Sequence, residues 1–346
     1  MSLTPHLKHL LEDRAHLSRE AAAALMRLLL TGDFTDIQLA ALLGALSARG
    51  ETPTEIAGFV DAMRSAATPL PLTPTERLTL VDTCGTGGDH SGTFNISTAS
   101  ALVAAAAGAT VAKHGNRAVT SRCGSADVLE ALGIPVDLTP PQAAEALRRH
   151  RFAFLHAPAL HPAMKTVMPV RRALGVRTVF NILGPLANPA GASAQVMGVY
   201  APHLVPLVAQ AMALLGTRHA FVVHGDTGAS TATGLDEISI SGPSTIAELH
   251  NGVITHSTIT PEELGLERAP IATLHGGDAA TNAQILTAIF SGAPGPHRDI
   301  CLLNAAAVLV AADLAPTLAT GIALSAKAID ADAVTSLVTA LRRDPS

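Results

Sequence analysis

Aromatic residues are scarce in this sequence. Tryptophan is absent, and 346 residues hold one tyrosine and eight phenylalanines. The chain therefore has little with which to stack single-stranded bases. No run of lysines and arginines interrupts a formal net charge of −5, so nothing predicts nucleic-acid binding through counterion release. A local basic site for a phosphate stays open. Cysteine is sparse too: Cys84, Cys123 and Cys301 are far apart, and no Cys-x-x-Cys occurs. That argues against a disulfide framework or a thiolate zinc site, and it fits a reducing compartment, the cytoplasm. Residues 1–9 lack the charged-then-apolar pattern of a signal peptide. The apolar run 101–107 is too short to span a bilayer, so no membrane association is expected. What the chain has in quantity is Ala, Leu and Val, within a hydrophobic share of 48%. That is ample for a core, and small aliphatic side chains suit close helix–sheet and helix–helix packing. The length allows one large domain or two ordinary ones.

Residues 1–72 carry helix signals without a strand signal between them. Ser18 precedes an apolar-periodic run that ends at Gly32. Thr35 and Gln38 form a capping box for a helix over 39–48, which Gly50 stops. Thr52, Pro53 and Glu55 start another, with an N-cap hydroxyl, a proline at the first helical position and a reciprocal glutamate. A small helical bundle is the natural reading. Residues 70–74, rich in proline, read as a linker. The pattern then changes to a short strand over 78–81, a glycine-rich turn, a helix over 97–107 closed by Gly108, and a strand over 109–112. Such a βαβ unit implies parallel strands with a right-handed crossover. A helix over 128–132 ends at Gly133, and strands are expected over 152–155, 196–199 and 220–223. The expected class is α/β: a helical N-terminal domain, then a larger domain over 73–346 built on a mostly parallel sheet.

The most informative stretch is Asp82-Thr83-Cys84-Gly85-Thr86-Gly87-Gly88-Asp89. It follows a strand and precedes a helix, where open α/β sheets bind ligands. Glycines there let backbone N–H groups approach phosphate oxygens, and the helix N-terminus near residues 95–98 adds partial positive charge. No Gly-Lys-Ser/Thr follows, so it is not a Walker loop, and His90 occupies the position where the dinucleotide fingerprint needs glycine. The plain alternative is a tight turn that needs positive φ. Lys113-His114-Gly115-Asn116-Arg117 follows the next strand and should lie on the same sheet edge. Thr120, Ser121 and Ser125 add hydroxyls. Ser125 can cap the next helix, bind phosphate, or do both. Cys84 and Cys123 have no visible base partner and read as packing residues.

Gly-Thr-Gly-Gly-Asp over 85–89, Lys-His-Gly-Asn-Arg over 113–117 and Gly-Ser-Ala-Asp-Val-Leu-Glu-Ala-Leu-Gly over 124–133 resemble the anthranilate phosphoribosyltransferases. So do His161-Pro162-Ala163-Met164-Lys165, the run from Arg177 to Leu186, and Gly234-Leu235-Asp236-Glu237. The likeness covers nearly the whole chain, and the motifs occur in order. The resemblance implies transfer of a phosphoribosyl group from phosphoribosyl pyrophosphate to anthranilate in tryptophan biosynthesis, releasing pyrophosphate. It implies that Gly85, Gly88, Asp89, Thr93, Asn95, Ser97, Thr98, Lys113, Ser121 and Ser125 hold the phosphoribosyl pyrophosphate. Ser97, Asp236 and Glu237 match magnesium positions, so Mg2+ is the implied cofactor. Asn116 and Arg171 match anthranilate contacts, with Gly85, His114, His161 and Gly184 lining the same approach. A cleft between the two domains, helices from about 160–190 joining the helical part, and a homodimer are implied as well.

Chemistry is consistent with these roles. Magnesium prefers hard oxygen ligands while it bridges a diphosphate. Adjacent residues on a regular strand point to opposite faces, so Asp236 and Glu237 need a bend to converge. Arg171 can pair a carboxylate through its planar fork. An arylamine is neutral at pH 7, so a strong general base is not demanded and none is assigned. Two departures stand out. Residues 226–233 form an insertion of Gly, Ser, Thr and Ala, and Asp330-Ala331-Asp332-Ala333 lacks an expected glycine. The rival readings are a pyrimidine nucleoside phosphorylase, which shares a related phosphate loop, and a non-catalytic relative that binds nucleotides or nucleic acid. Lys113–Arg117 with Arg171 disfavours the first. The retained acidic pair and the lack of a basic run disfavour the second.

Overall fold

Residues 3–118, 122–228 and 234–343 are described in the computed structural model. Helices α1 (Thr4–Leu11), α2 (Arg19–Thr31), α3 (Asp36–Arg49) and α4 (Pro53–Ala66) open the chain. Ser18 caps α2 by accepting from the Ala21 N–H, and both expected capping boxes form, at Thr35–Gln38 and Thr52–Glu55. Glu55 also ties the bundle together from within. Its buried carboxylate accepts from the Leu17 and Thr52 N–H groups at 2.9 Å and from Arg49 at 2.5 Å. Burial pushes its pKa up, but these donors outweigh burial and hold it below the usual range. Small residues allow the close helix packing. A Cβ on Gly58 of α4 would lie 2.2 Å from the Arg19 carbonyl of α2.

The expected linker leads instead into a short helix, α5 (Pro74–Thr79), capped by Thr73 and Glu76 with proline at its first position. The first strand therefore starts later than expected and runs through the residues read as a turn: β1 (Leu80–Gly85). There follow α6 (Ile96–Ala106), β2 (Thr110–Gly115), α7 (Ser125–Ala131), α8 (Pro140–His150), β3 (Phe152–His156), α9 (Ala157–Leu160), α10 (Met168–Leu174), α11 (Phe180–Leu186), β4 (Ala194–Gly198), α12 (Leu204–Leu214) and β5 (His219–Gly225). Two strands not foreseen, β6 (Ser244–His250) and β7 (Val253–Ile259), then precede α13 (Ala279–Phe290), α14 (Pro296–Ala311), α15 (Leu318–Asp330) and α16 (Ala333–Arg343).

The sheet order is β3-β2-β1-β4-β5-β6-β7. The first five strands are parallel, and β6 and β7 are antiparallel additions. Strand alternation divides the core. Val196, Phe221 and Val223 face the layer of α6 and α13–α16, whereas Met197, Ala220 and Val222 join one apolar cluster with α12 and the helical bundle. Val170, Phe180 and Leu183 of α10 and α11 belong to that second cluster. At the glycine-less 330–333 junction the left-handed position falls on Asp332, at φ 55°. Aspartate is among the residues that tolerate it.

Candidate active site

The chain reverses its direction of growth across the sheet between β1 and β4, so a crevice is expected outside their carboxyl ends. Three strands end there in glycine, and the reason is steric. A Cβ on Gly198 would lie 1.5 Å from the Asp236 carbonyl, one on Gly85 2.2 Å from the Asp236 carboxylate, and one on Gly225 2.6 Å from the Glu237 carbonyl. The segment carrying Asp236 and Glu237 thus lies directly across the ends of β1, β4 and β5. It is a bend rather than a regular strand, which lets adjacent carboxylates serve one site.

Asp236 accepts from the Gly87 N–H at 2.7 Å, and its own N–H approaches Asp89 Oδ2 at 3.5 Å. Burial raises its pKa well above the usual range, and the neighbouring Asp89 and Glu237 charges add to the rise. Glu237 accepts from the Ser97 N–H at 3.0 Å, at the start of α6. Burial pushes it up to about 7 against the opposing pull of Lys113. The helix end expected to face a phosphate is thus capped by a carboxylate. Asp89, Asp236 and Glu237 thus lie near enough for their charges to act on one another, with Lys113 opposing them at Glu237.

Paired register between β1 and β2 covers only Leu80–Thr110 and Val81–Val111. Beyond it, side chains supply hydrogen bonds between the strands. Asp82 accepts from the His114 N–H at 3.1 Å, Asn188 donates to the Ala112 carbonyl at 2.8 Å, and Lys113 donates to the Thr83 carbonyl at 2.7 Å. Lys113 and His114 were expected just after a strand. They are inside it, because β2 runs on to Gly115. Lys113 is only 1% exposed and donates also to Ser97 Oγ at 3.2 Å. Burial lowers its pKa against the pull of nearby acidic groups, including Asp82 and Glu237. Its ammonium supports the acidic cluster from beneath.

The other residues expected to hold phosphate divide. Gly88 lies at φ 75° in the loop, and Asp89 accepts from the Ser91 N–H at 3.2 Å. Thr93 bridges to His275, and its hydroxyl lies 3.2 Å from Ser91 Oγ. Asn95 spends its amide inside the protein, donating to the Cys123 carbonyl and accepting from Asn282. Thr98 is fully buried in α6, with no hydrogen-bond partner for its hydroxyl among the described residues. Ser125 begins α7 but does not cap it. Gly124 is the cap, and Asp127 reaches back to its N–H at 2.8 Å. Ser125 packs instead beside Gly115, where a Cβ would come within 3.3 Å of its own. Ser121, with Thr120, lies outside the described residues.

Beside this crevice, between α10 and the ends of β2 and β3, is a cavity of about 710 Å³. His114, Asn116, His161, Arg171 and Gly184 all line it. Gly85, expected there too, lies under Asp236 instead. Met63, Met164, Met168 and Phe180 give the cavity apolar walls, and Lys165 and Arg172 give it further positive charge. Arg171 is half-buried, with its guanidinium 5.0 Å from the Phe180 ring centre, and burial lowers its pKa. No carboxylate pairs with it among the described residues. Arg117 lines the cavity too, but its guanidinium is held by Glu130 at 2.5 and 2.6 Å. His114 is buried 5.1 Å from the His161 ring. Burial, helped by His161, lowers its pKa to about 3 while the Gly184 carbonyl pulls the other way. The ring is neutral, and its Nε2 has no partner among the described residues.

Sequence reading missed Asp82, Asn188 and Gly198. Each acts through the opening of β1 from β2 or through passage of the acidic segment, which only the sheet order reveals. It also missed a role for Arg177, whose guanidinium reaches the Gly88 carbonyl. Burial raises the thiols, Cys123 to about 11 and Cys301 to about 12, with Cys84 well above its ordinary value. Kept as thiols, they suit packing rather than nucleophilic chemistry.

Known proteins place this geometry. A glycosyl transferase family a/b domain matches residues 77–333, and a glycosyl transferase family helical bundle domain matches residues 4–67. The anthranilate phosphoribosyltransferase of Solibacter usitatus is 51% identical over 342 residues, 99% of this chain and 98% of that protein. That of Moorella thermoacetica is 51% identical over 94% of each. Among solved structures, the anthranilate phosphoribosyltransferase from Thermus thermophilus superposes with a TM-score of 0.88 at 43% identity, over 97% of this chain and 98% of that one. The enzyme from Saccharomyces cerevisiae, solved in complex with PRPP and Mg, gives 0.86 at 27% identity over 97% and 96%.

Proposed function

The chain belongs to the anthranilate phosphoribosyltransferases, and we infer from this that it transfers the phosphoribosyl group of phosphoribosyl pyrophosphate to anthranilate, releasing pyrophosphate. The observation that carries the reading is the pairing of two sites of opposite need. Carboxylates that Lys113 only partly offsets sit at the ends of β1, β4 and β5. Arg171, whose guanidinium pairs with no carboxylate among the described residues, lines the cavity next door.

The acidic group fits magnesium. Its donors are hard oxygens, and a bound cation would offset the burial and the Asp89 and Glu237 charges that raise the Asp236 pKa. Asp89, Asp236 and Glu237 would hold the ion, with Ser97 beside them. Bound there, it would neutralise the charge that develops on the leaving pyrophosphate. The Thr86 and Gly87 N–H groups are taken by Gly198 and Asp236, so the neutral donors the loop would offer the same oxygens are the Gly88 and Asp89 N–H groups. Lys113 keeps positive charge under the floor without reaching the surface.

In the cavity Arg171 fixes the carboxylate of anthranilate, and Phe180 and the methionines cover its ring. The Gly184 backbone bears on the His114 ring and Nε2 has no partner among the described residues, so a proton on Nδ1 would leave Nε2 as a bare acceptor. It can take a hydrogen bond from the arylamine and aim the nitrogen lone pair. A group with a pKa near 3 stays neutral throughout, so orientation is its contribution and no general base is assigned. Most of the rate then comes from positioning and from charge stabilisation of the leaving group.

The domain division is placed at residues 72/73, with α10 and α11 assigned to the helical part through their shared apolar cluster. A homodimer through the helical domain is supported by the exposed apolar side chains Leu11, Ile37 and Val176, which lie on or beside α3 and the two helices that pack on it, α1 and α10. A cytoplasmic setting agrees with three free thiols and with the absence, among the described residues, of a helix long and apolar enough to cross a membrane. The test is pyrophosphate release from phosphoribosyl pyrophosphate and anthranilate, with and without magnesium. Release that needs both anthranilate and the metal, with loss of anthranilate fluorescence, is expected. A folded protein that instead cleaves a pyrimidine nucleoside with inorganic phosphate would overturn the reading.

A further inference from the structure

Arg177 lies outside the two substrate sites, exposed on the turn after α10, yet it touches the phosphate loop. Its guanidinium sits over the Tyr200 ring, 4.2 Å from the centre, and donates to the Gly88 carbonyl. Its own carbonyl accepts from Ser47 Oγ of α3 at 3.3 Å. Tyr200 holds the same loop a second time, since its N–H donates to Thr86 Oγ1 at 3.1 Å. No carboxylate pairs with Arg177 among the described residues, so the carbonyl and the ring are its engagements.

The direction of that carbonyl matters. In a trans peptide the C=O and the following N–H point opposite ways. With the Gly88 carbonyl drawn toward Arg177, the Asp89 N–H must point away from it. Gly88 is left-handed, at φ 75°, and glycine's freedom makes this peptide easy to turn over. A guanidinium fixed on an aromatic ring is a rigid means of preventing that.

We propose that Arg177 is a positioning residue for the transfer reaction: held by Tyr200, it fixes the Gly88–Asp89 peptide in the orientation that presents a backbone N–H to the diphosphate. The proposal rests on the function inferred above. It predicts a one-sided kinetic effect. Arg177→Ala should raise KM for phosphoribosyl pyrophosphate about tenfold, the value of one hydrogen bond to a charged group. KM for anthranilate should change less than about twofold, although Arg177 follows closely on the helix that carries Arg171.

Steady-state kinetics of wild type, Arg177→Ala, Tyr200→Leu and the double variant test this, with thermal melting to show that each is folded. Tyr200→Leu leaves the charge in place and removes its platform. Under the proposal it reproduces part of the effect, and the double variant is no worse than Arg177→Ala alone. Additive losses would mean that the Arg177 charge acts on the diphosphate directly, which overturns a positioning role. Unchanged KM values, or equal rises for both substrates, overturn it too. Wild type serves as the control for the reaction itself: if it is inactive, the functional reading fails and not this inference alone.

Discussion

The floor of the crevice and the wall of the cavity are charged in opposite senses and incomplete in opposite senses. On the floor Asp89, Asp236 and Glu237 crowd together, two of them with raised pKa values. Lys113, the nearest cation, has its ammonium on Thr83 and Ser97. On the wall Arg171 is half-buried, with no acid paired to it among the described residues. Elsewhere the molecule pairs its charges: Arg19 with Asp61, Arg117 with Glu130, Arg148 with Glu76. At floor and wall alike the missing countercharge is one that a ligand would supply, and such local disagreement with good packing rules marks function.

The largest expected consequence is at the floor. Asp236→Asn or Glu237→Gln should lower turnover by about 10²–10³-fold, the scale of losing a main electrostatic contributor. In metal-free buffer above pH 7 the Glu237→Gln protein should nonetheless melt higher than wild type. The sign follows from the raised pKa. Glu237 titrates near 7 when folded and near 4.3 when unfolded, so its charge makes folding less favourable as pH rises between those values, by roughly 4 kcal/mol in all. A lower melting temperature would show that the carboxylate is already compensated.

Next comes the wall. Arg171→Ala should raise KM for anthranilate about 10–100-fold, with KM for phosphoribosyl pyrophosphate nearly unchanged, since it removes a charge-assisted hydrogen bond. Equal changes in both would mean that the two sites are not separable as described. The smallest effect concerns His114. Its folded pKa is about 3 against about 6.5 when unfolded, so below pH 6.5 the unfolded chain gains a proton that the folded one refuses. Stability is lost as pH falls, and His114→Gln should lose about 2 kcal/mol less than wild type between pH 6.5 and 5 in urea unfolding. Parallel losses would place a proton on the folded ring.

Much of this layout was legible in the residues. Capping boxes announced α3 and α4, and the βαβ alternation announced the parallel sheet. The motifs named most of the groups that line the cavity. Other features were hidden for physical reasons. Asp82–Gly85 looks like a turn because it is polar and ends in glycine. It is a strand whose polar side chains replace ladder bonds and whose glycine makes room for Asp236. Lys113 looked like a phosphate ligand, but two more residues of strand bury its ammonium. Pro74 looked like a breaker and proved to be a helix start. The convergence of Asp89 with Asp236, far apart in the chain, depends on tertiary structure that no local pattern encodes.

The acidic segment also has a fastening at its entry. Gly225 and Leu235 exchange both backbone hydrogen bonds, at 2.9 and 2.7 Å. This pair joins the base of the excursion that contains the insertion to the end of β5. The carboxylates that follow take their position from this fastening and from the three glycine-ended strands, whatever number of residues lies between. Residues 229–233, in the stretch that departs from the family pattern, lie outside the described residues. The most exacting atoms of the molecule are thus aimed by contacts that all lie outside that stretch.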